Sequence, residues 1–162
     1  MGTNGRIGLV CSSGGHLTEA LSLLDAFEGH DLFLIVHNFP SLKAVRLDGI
    51  SRIYKLPIFF GYSSWPGVFL TIFVNFFQLL RIIWLERPSA LFSTGAEIAV
   101  PAFYIGKIFF GTKLIFLESL ARVKDLSFTG KLLYPIADHF LVQWPELLSK
   151  KRKKVSYQGR LI

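Results

Sequence analysis

Apolar residues fall along this chain in short blocks whose period keeps changing. Residues 6–10 and 31–36 (DLFLIV) are nearly continuous apolar runs, as expected of strands buried on both faces. Between them Leu17, Ala20, Leu21, Leu24 and Phe27 recur at helical spacing, which predicts a helix over 17–27. The alternation continues to the end of the chain. A brief helix is expected over 41–47, a strand over 52–56, a long apolar helix ending before Pro88, and a strand over 90–93. A helix over 97–110, a strand over 113–117 (KLIFL), a helix over 129–137 and a strand over 139–142 follow. A last helix is expected over 145–154, with 155–157 available for a final strand. Strands separated by helices imply right-handed crossovers and a mostly parallel sheet covered on both faces, an α/β Rossmann-like fold. The 162 residues suit one domain spanning 1–162, and no internal repeat or linker interrupts it.

The long apolar helix departs from the ordinary pattern. No charge occurs between Lys55 and Arg81. Prolines, glycines and serines break the first half, leaving 68–85, VFLTIFVNFFQLLRIIWL. Thr71, Asn75 and Gln78, with Arg81 alongside, form one narrow polar stripe on a helix, and the rest of the cylinder is apolar. Eighteen residues reach about 27 Å, slightly short of a hydrocarbon core of about 30 Å. Three placements are open: inside the protein, in the membrane interface with the apolar face embedded, or across the membrane with Arg81 snorkelling. So wide an apolar face in so small a domain favours lipid contact, through Phe69, Phe73, Phe76, Phe77 and Trp84.

Composition narrows the classes. The chain is 51% apolar and 18% charged, which excludes a disordered protein. The single Cys11 excludes a disulfide scaffold or a cysteine zinc cage and points to a reducing compartment. The net charge of +7 is local, since the run KKRKK at 150–154 supplies five of the 18 basic residues. That run reads as a solvated helix end or as attraction to anionic lipid. No nucleic-acid partner is expected. The opening MGTNGR leads straight into IGLV, too short a run for a signal peptide, so the cytoplasmic side is expected.

Ligands of such folds collect where strands end and helices begin. The first such loop is Cys11-Ser12-Ser13-Gly14-Gly15-His16. Gly14 and Gly15 permit a sharp turn and close backbone approach, the amides favour an anion, and His16 can accept a proton. The same residues also suit a tight turn capped by a histidine. The second loop is Ser93-Thr94-Gly95-Ala96-Glu97, where Thr94 and Glu97 suit a capping box and Gly95 suits a sugar pocket. The third is Glu118-Ser119-Leu120-Ala121-Arg122. There Glu118 could deprotonate a hydroxyl and Arg122 grip a phosphate, or the two could form a surface ion pair. P-loop and dinucleotide fingerprints are missing, no acidic residue follows the second strand, and no D-x-D pair or metal-ligand spacing occurs.

The block at 117–147, LESLARVKDLSFTGKLLYPIADHFLVQWPEL, closely resembles the acceptor-side subunit of two-part glycosyltransferases. That family includes the membrane-anchoring subunit of the eukaryotic transferase that adds the second N-acetylglucosamine of the dolichol-linked oligosaccharide, and PssD-type exopolysaccharide proteins. Ser13-Gly14-Gly15-His16 and the segment from Ser93 to Val100-Pro101 fit the family in order and separation, and the Gly-Gly-His turn recurs in MurG, a single-chain relative. The resemblance implies the amino-terminal lobe of a GT-B transferase. This lobe would bind a lipid-diphosphate-linked acceptor and the membrane, while a partner carboxyl-terminal-lobe subunit holds the UDP-sugar. It implies inverting, metal-independent transfer with no cofactor beyond the UDP-sugar. His16 or Glu118 would take the proton, His16 being favoured. Ser12, Ser13, Gly14, Gly15, Thr94, Gly95, Glu97, Ser119 and Arg122 would line the acceptor and phosphate site. A non-catalytic membrane scaffold that activates its partner is the rival reading. The eukaryotic subunit begins with a transmembrane anchor that is not seen here, so attachment at the cytoplasmic face is expected to fall to helix 68–85.

Overall fold

The computed structural model describes residues 5–38, 48–57, 65–148 and 153–161, with backbone alone over 65–69. Its strands are β1 (Arg6–Cys11), β2 (Asp31–His37), β3 (Arg52–Leu56), β4 (Ala90–Ser93), β5 (Lys113–Leu117), β6 (His139–Val142) and β7 (Val155–Tyr157). They form one sheet in the order β3-β2-β1-β4-β5-β6-β7, and every pairing is parallel. The α/β class expected from the alternating runs is the class found. Side chains alternate across the sheet. Val10, Phe33 and Ile35 join the core beneath α2 (Trp65–Glu86), α3 (Ala99–Phe110) and α4 (Phe128–Leu133). Leu9, Cys11, Leu34 and Val36 join a second core, covered by α1 (Gly15–Leu21) and the short turn of helix Leu24–Phe27.

The helices differ from expectation at their ends. The helix expected over 17–27 is two pieces, because the Leu23 N–H bonds back to Ala20 O and tightens the chain out of α geometry. The helix expected over 97–110 starts at Ala99 with Ile98 in the cap position and no side-chain cap, so Thr94 and Glu97 form no capping box. The helix expected over 129–137 begins one residue earlier, where Ser127 Oγ accepts the Gly130 N–H at 2.9 Å. It ends at Leu133, just before Pro135, which has no N–H to donate. The helix expected over 145–154 is only the turn Pro145–Leu147, after which Leu148 is extended. Lys153 and Lys154 lie in a turn entering β7, so the basic run does not close a helix among the described residues. The brief helix expected over 41–47 lies outside the described residues.

The long apolar helix is built inside out. Of the polar stripe, Thr71 and Asn75 are 5% and 6% exposed and turn inward with Leu79, Ile82 and Ile83, while Gln78 is half-buried and Arg81 is exposed. Asn75 Nδ2 donates to Pro57 O at 3.2 Å. Phe73, Phe77 and Trp84 are each more than half exposed, and Phe76 is also exposed. Buried Glu86 fixes the far end of α2. Its carboxylate lies 2.9 Å from Arg6 Nη1 and 2.8 Å from Arg52 Nη1, and it accepts the Tyr54 hydroxyl. Burial first, then that hydrogen bond, raise the Tyr54 pKa above its ordinary value.

Candidate functional site

The sheet order reverses at β1 and β4, neighbours whose following helices pass to opposite faces. Loops leaving two such strands part and open a crevice at the carboxyl edge. The loops after β1, β4 and β5, all singled out in the sequence, meet beside this crevice.

The first loop turns at Gly14, whose φ of 93° a side chain rarely tolerates. A Cβ on either Gly14 or Gly15 would meet nothing within 4 Å, so the backbone lies open to an approaching group. Cys11, just before the loop, is no nucleophile: burial pushes its thiol up to about 12. His16 stands in the first turn of α1, and the second loop closes over it. Thr94 Oγ1 donates to His16 O at 2.7 Å. A Cβ on Gly95 would lie 2.6 Å from His16 Cε1, so only a glycine lets the imidazole rest there. Gly95 has φ 129° and is braced by Ser93, whose Oγ both donates to Gly95 O and accepts its N–H at 3.1 Å. Ala96 follows with φ 93°, a strained conformation for a residue with a side chain. His16 Nδ1 is buried and has no hydrogen-bond partner among the described residues. Buried ring nitrogens ordinarily find a partner, so this unpaired one stands out in the loop.

The third loop is tied to α1 by Glu19, one turn after His16. Glu19 Oε1 accepts the Ser119 hydroxyl at 3.0 Å and the Leu120 N–H at 3.2 Å. Glu118 turns away from the crevice and is 1% exposed. One of its oxygens accepts the Ser119 N–H at 3.1 Å and the other the Ser127 N–H at 2.9 Å. A Cβ on Gly130 would come within 2.2 Å of that second oxygen. The carboxylate therefore clamps the loop onto the start of α4. The ion pair considered between Glu118 and Arg122 is not formed among the described residues; Arg122 is exposed, and its N–H closes a turn on Ser119 O at 2.9 Å. Ser12 and Ser13 are half-buried beside the glycine turn.

Glu97, whose side chain is exposed, reaches His37 at the end of β2, with Oε1 3.2 Å from Nε2. His37 is buried and was not singled out as a site residue in the sequence. Glu19 and Ala96 were also missed. Glu19 had one signal, its helical spacing of three from His16. No group of acids, histidines and cysteines able to hold a metal occurs among the described residues.

The outer face of α2 carries the exposed Phe73, Phe76, Phe77 and Trp84, and the end of α3 adds Ile108 and Phe109. The side chain of Phe69 lies outside the described residues. Arg87 holds its guanidinium 5.8 Å from the Trp84 ring and 5.5 Å from the Phe110 ring. Among the described residues no helix is long and apolar enough to cross a membrane.

Over residues 62–161 the sequence matches the family described as "Oligosaccharide biosynthesis protein Alg14 like". It is 32% identical to UDP-N-acetylglucosamine transferase subunit alg14 of Schizosaccharomyces pombe, over 91% of this chain and 79% of that protein. It is 29% identical to the human subunit ALG14, over 95% of this chain and 82% of that protein. Among solved structures, MurG of Acinetobacter baumannii superposes with a TM-score of 0.75 at 16% identity. That alignment covers 95% of this chain and 45% of the MurG chain, so this fold spans less than half of that protein.

Proposed function

The chain belongs to the Alg14 family, and from that premise we propose that it is the acceptor-binding subunit of a UDP-N-acetylglucosamine transferase, working during lipid-linked oligosaccharide synthesis. A partner subunit with the fold of a GT-B carboxyl-terminal lobe brings the nucleotide sugar across the crevice. The acceptor is a sugar on a lipid diphosphate, and the greasy face of α2 rests in the cytoplasmic surface of the membrane.

One observation carries this reading: an imidazole with an unsatisfied buried nitrogen, seated on Gly95 at the switch point, beside backbone left open by Gly14 and Gly15. The acceptor diphosphate lies against the glycine turn, with the exposed Arg122 as its countercharge. Helix α1 is only seven residues long, so loop amides rather than a long helix dipole meet the anion. His16 takes the proton of the acceptor hydroxyl as its oxygen attacks the anomeric carbon, and UDP departs from the opposite face, inverting the centre. The transfer needs no bound metal in this lobe. Glu118 acts by holding the loop, since its carboxylate is buried and pinned by the Ser119 and Ser127 N–H groups away from solvent.

Replacing His16 by Ala in the complex reconstituted with its partner tests the assignment. Transfer should fall by about 10²–10⁴-fold, the usual contribution of a general base, while partner association persists. A rate within a few-fold of wild type would mean that this subunit is a scaffold and the base lies on the partner.

A further inference from the structure

A cavity of about 550 Å³ lies between α2, α3 and α4, within the range of about 300–1,000 Å³ typical of small-ligand sites. Its wall is almost entirely carbon, from residues such as Ile72, Leu79, Ile98, Tyr104 and Leu132. Tyr104 ties α3 to α4 here by donating its hydroxyl to Leu132 O at 3.2 Å. The cavity has two distinct ends. At one stand His37 and Glu97, the acid–base side chains of its lining, 3.2 Å apart. Glu97 follows Gly95, on which the His16 ring rests, so this end borders the crevice. At the other stand Ile72 and Phe128, 62% and 76% exposed. Ile72 adjoins Phe73 and Phe76 on the outer face of α2, so the apolar surface runs unbroken into the cavity.

An occupant of this shape is apolar along its length, enters from the greasy face and ends in a polar group at the crevice. A folded partner would cover the mouth without filling the interior. We propose that the cavity holds the first segment of the hydrocarbon chain of the lipid that carries the acceptor, an isoprenoid-like tail attached to its diphosphate. This rests on the acceptor-side reading above and adds to it a seat for the tail. The seat orients the head: with the chain threaded past Leu79 and Ile98, the diphosphate emerges beside Glu97 and Gly95, facing the glycine turn.

A filled cavity has a consequence that adsorption to a membrane lacks. Each methylene moved from water into it tightens binding by about four-fold, until the cavity is full. Binding of water-soluble prenyl diphosphates to the full chain, below their micellar concentrations and without vesicles, measures this directly. Affinity should rise at least ten-fold from inorganic diphosphate to the fifteen-carbon compound. Thr129→Trp, which fills the cavity from α4, should abolish that rise, while Phe73→Glu on the outer face should leave it intact. A fifteen-carbon probe with a photoreactive group near its head should label peptides from 71–79, 98–104 and 128–132 in the unmodified chain, so the test survives misfolding of the tryptophan variant. Affinity independent of chain length, or labelling confined to the outer face of α2, overturns the proposal. So does a Thr129→Trp chain that keeps prenyl binding but loses its partner subunit, since the cavity then belongs to that partner. If the complex transfers sugar equally to acceptors with and without a tail, the seat is wrong and the function stands. If prenyl diphosphates bind as described but no lipid-linked acceptor is ever glycosylated, the function is wrong and the seat stands.

Discussion

Gly95 and His16 show how much of the site one missing methyl decides. Alanine at 95 would meet a φ of 129° and a Cβ only 2.6 Å from the imidazole, so backbone and ring must both give way. Strained backbone of this kind costs about 1–3 kcal/mol, and a reacting group displaced by about 1 Å can cost about 100-fold in rate. Gly95→Ala in the reconstituted complex is therefore expected to lower kcat by about that factor while the KM for the nucleotide sugar, held by the partner, stays put. Steady-state kinetics with a parallel thermal melt separate this from unfolding. The glycine turn and the place of His16 beside it were legible in the sequence because both follow from local spacing after β1. Glu118 was not: a carboxylate after a strand looks the same whether it faces a substrate or a backbone amide. What sets its direction is Gly130, twelve residues on, which packs against the Glu118 carboxylate. Glu97 and Thr94 misled for a related reason. Their spacing suits a cap, but the positive φ at Gly95 and Ala96 carries the chain aside, and both side chains go to long-range partners, His37 and the His16 carbonyl.

At the scale of the element, the strands were the most readable. Parallel strands are buried on both faces and so appear as unbroken apolar runs, whatever their partners. Helix ends were less readable, because they depend on single bonds such as Ser127 Oγ to Gly130 N. The long helix gave its narrow polar stripe to the sequence but not the direction in which the stripe faces. That direction is fixed by Asn75 reaching Pro57 and by Glu86 at the far end, a carboxylate buried against Arg6 and Arg52. Breaking a buried ion pair costs about 3–5 kcal/mol, because the remaining charge loses its partner. Here the remaining charges, Arg6 and Arg52, are partly exposed and keep Asp31 as a partner. The cost therefore comes chiefly from the Tyr54 hydroxyl left without its acceptor, and Glu86→Ala should lose about 1–3 kcal/mol in denaturant unfolding. A loss under 1 kcal/mol would show that α2 is held by its apolar contacts alone.

At the scale of the whole molecule, the described residues leave two surfaces uncovered, a greasy face on α2 and the crevice at the carboxyl edge of the sheet. Burying a phenyl side chain is worth about 1.5–3 kcal/mol, so Phe73, Phe76 and Phe77 together can hold the chain at a bilayer. In flotation with anionic phospholipid vesicles, Phe73→Glu with Phe77→Glu should reduce the bound fraction at least ten-fold. Unchanged flotation would assign that face to a protein neighbour. The crevice has a matching implication for chemistry. The proposed proton acceptor and the open glycine turn stand on this lobe, and the proposed seat for the nucleotide sugar stands on another. The most direct measurement is sugar transfer from UDP-N-acetylglucosamine to a lipid-diphosphate-linked acceptor, by the purified chain alone, by its partner subunit alone, and by the two mixed. Transfer only in the mixture is expected; turnover by this chain unaided would contradict its being half of a cleft.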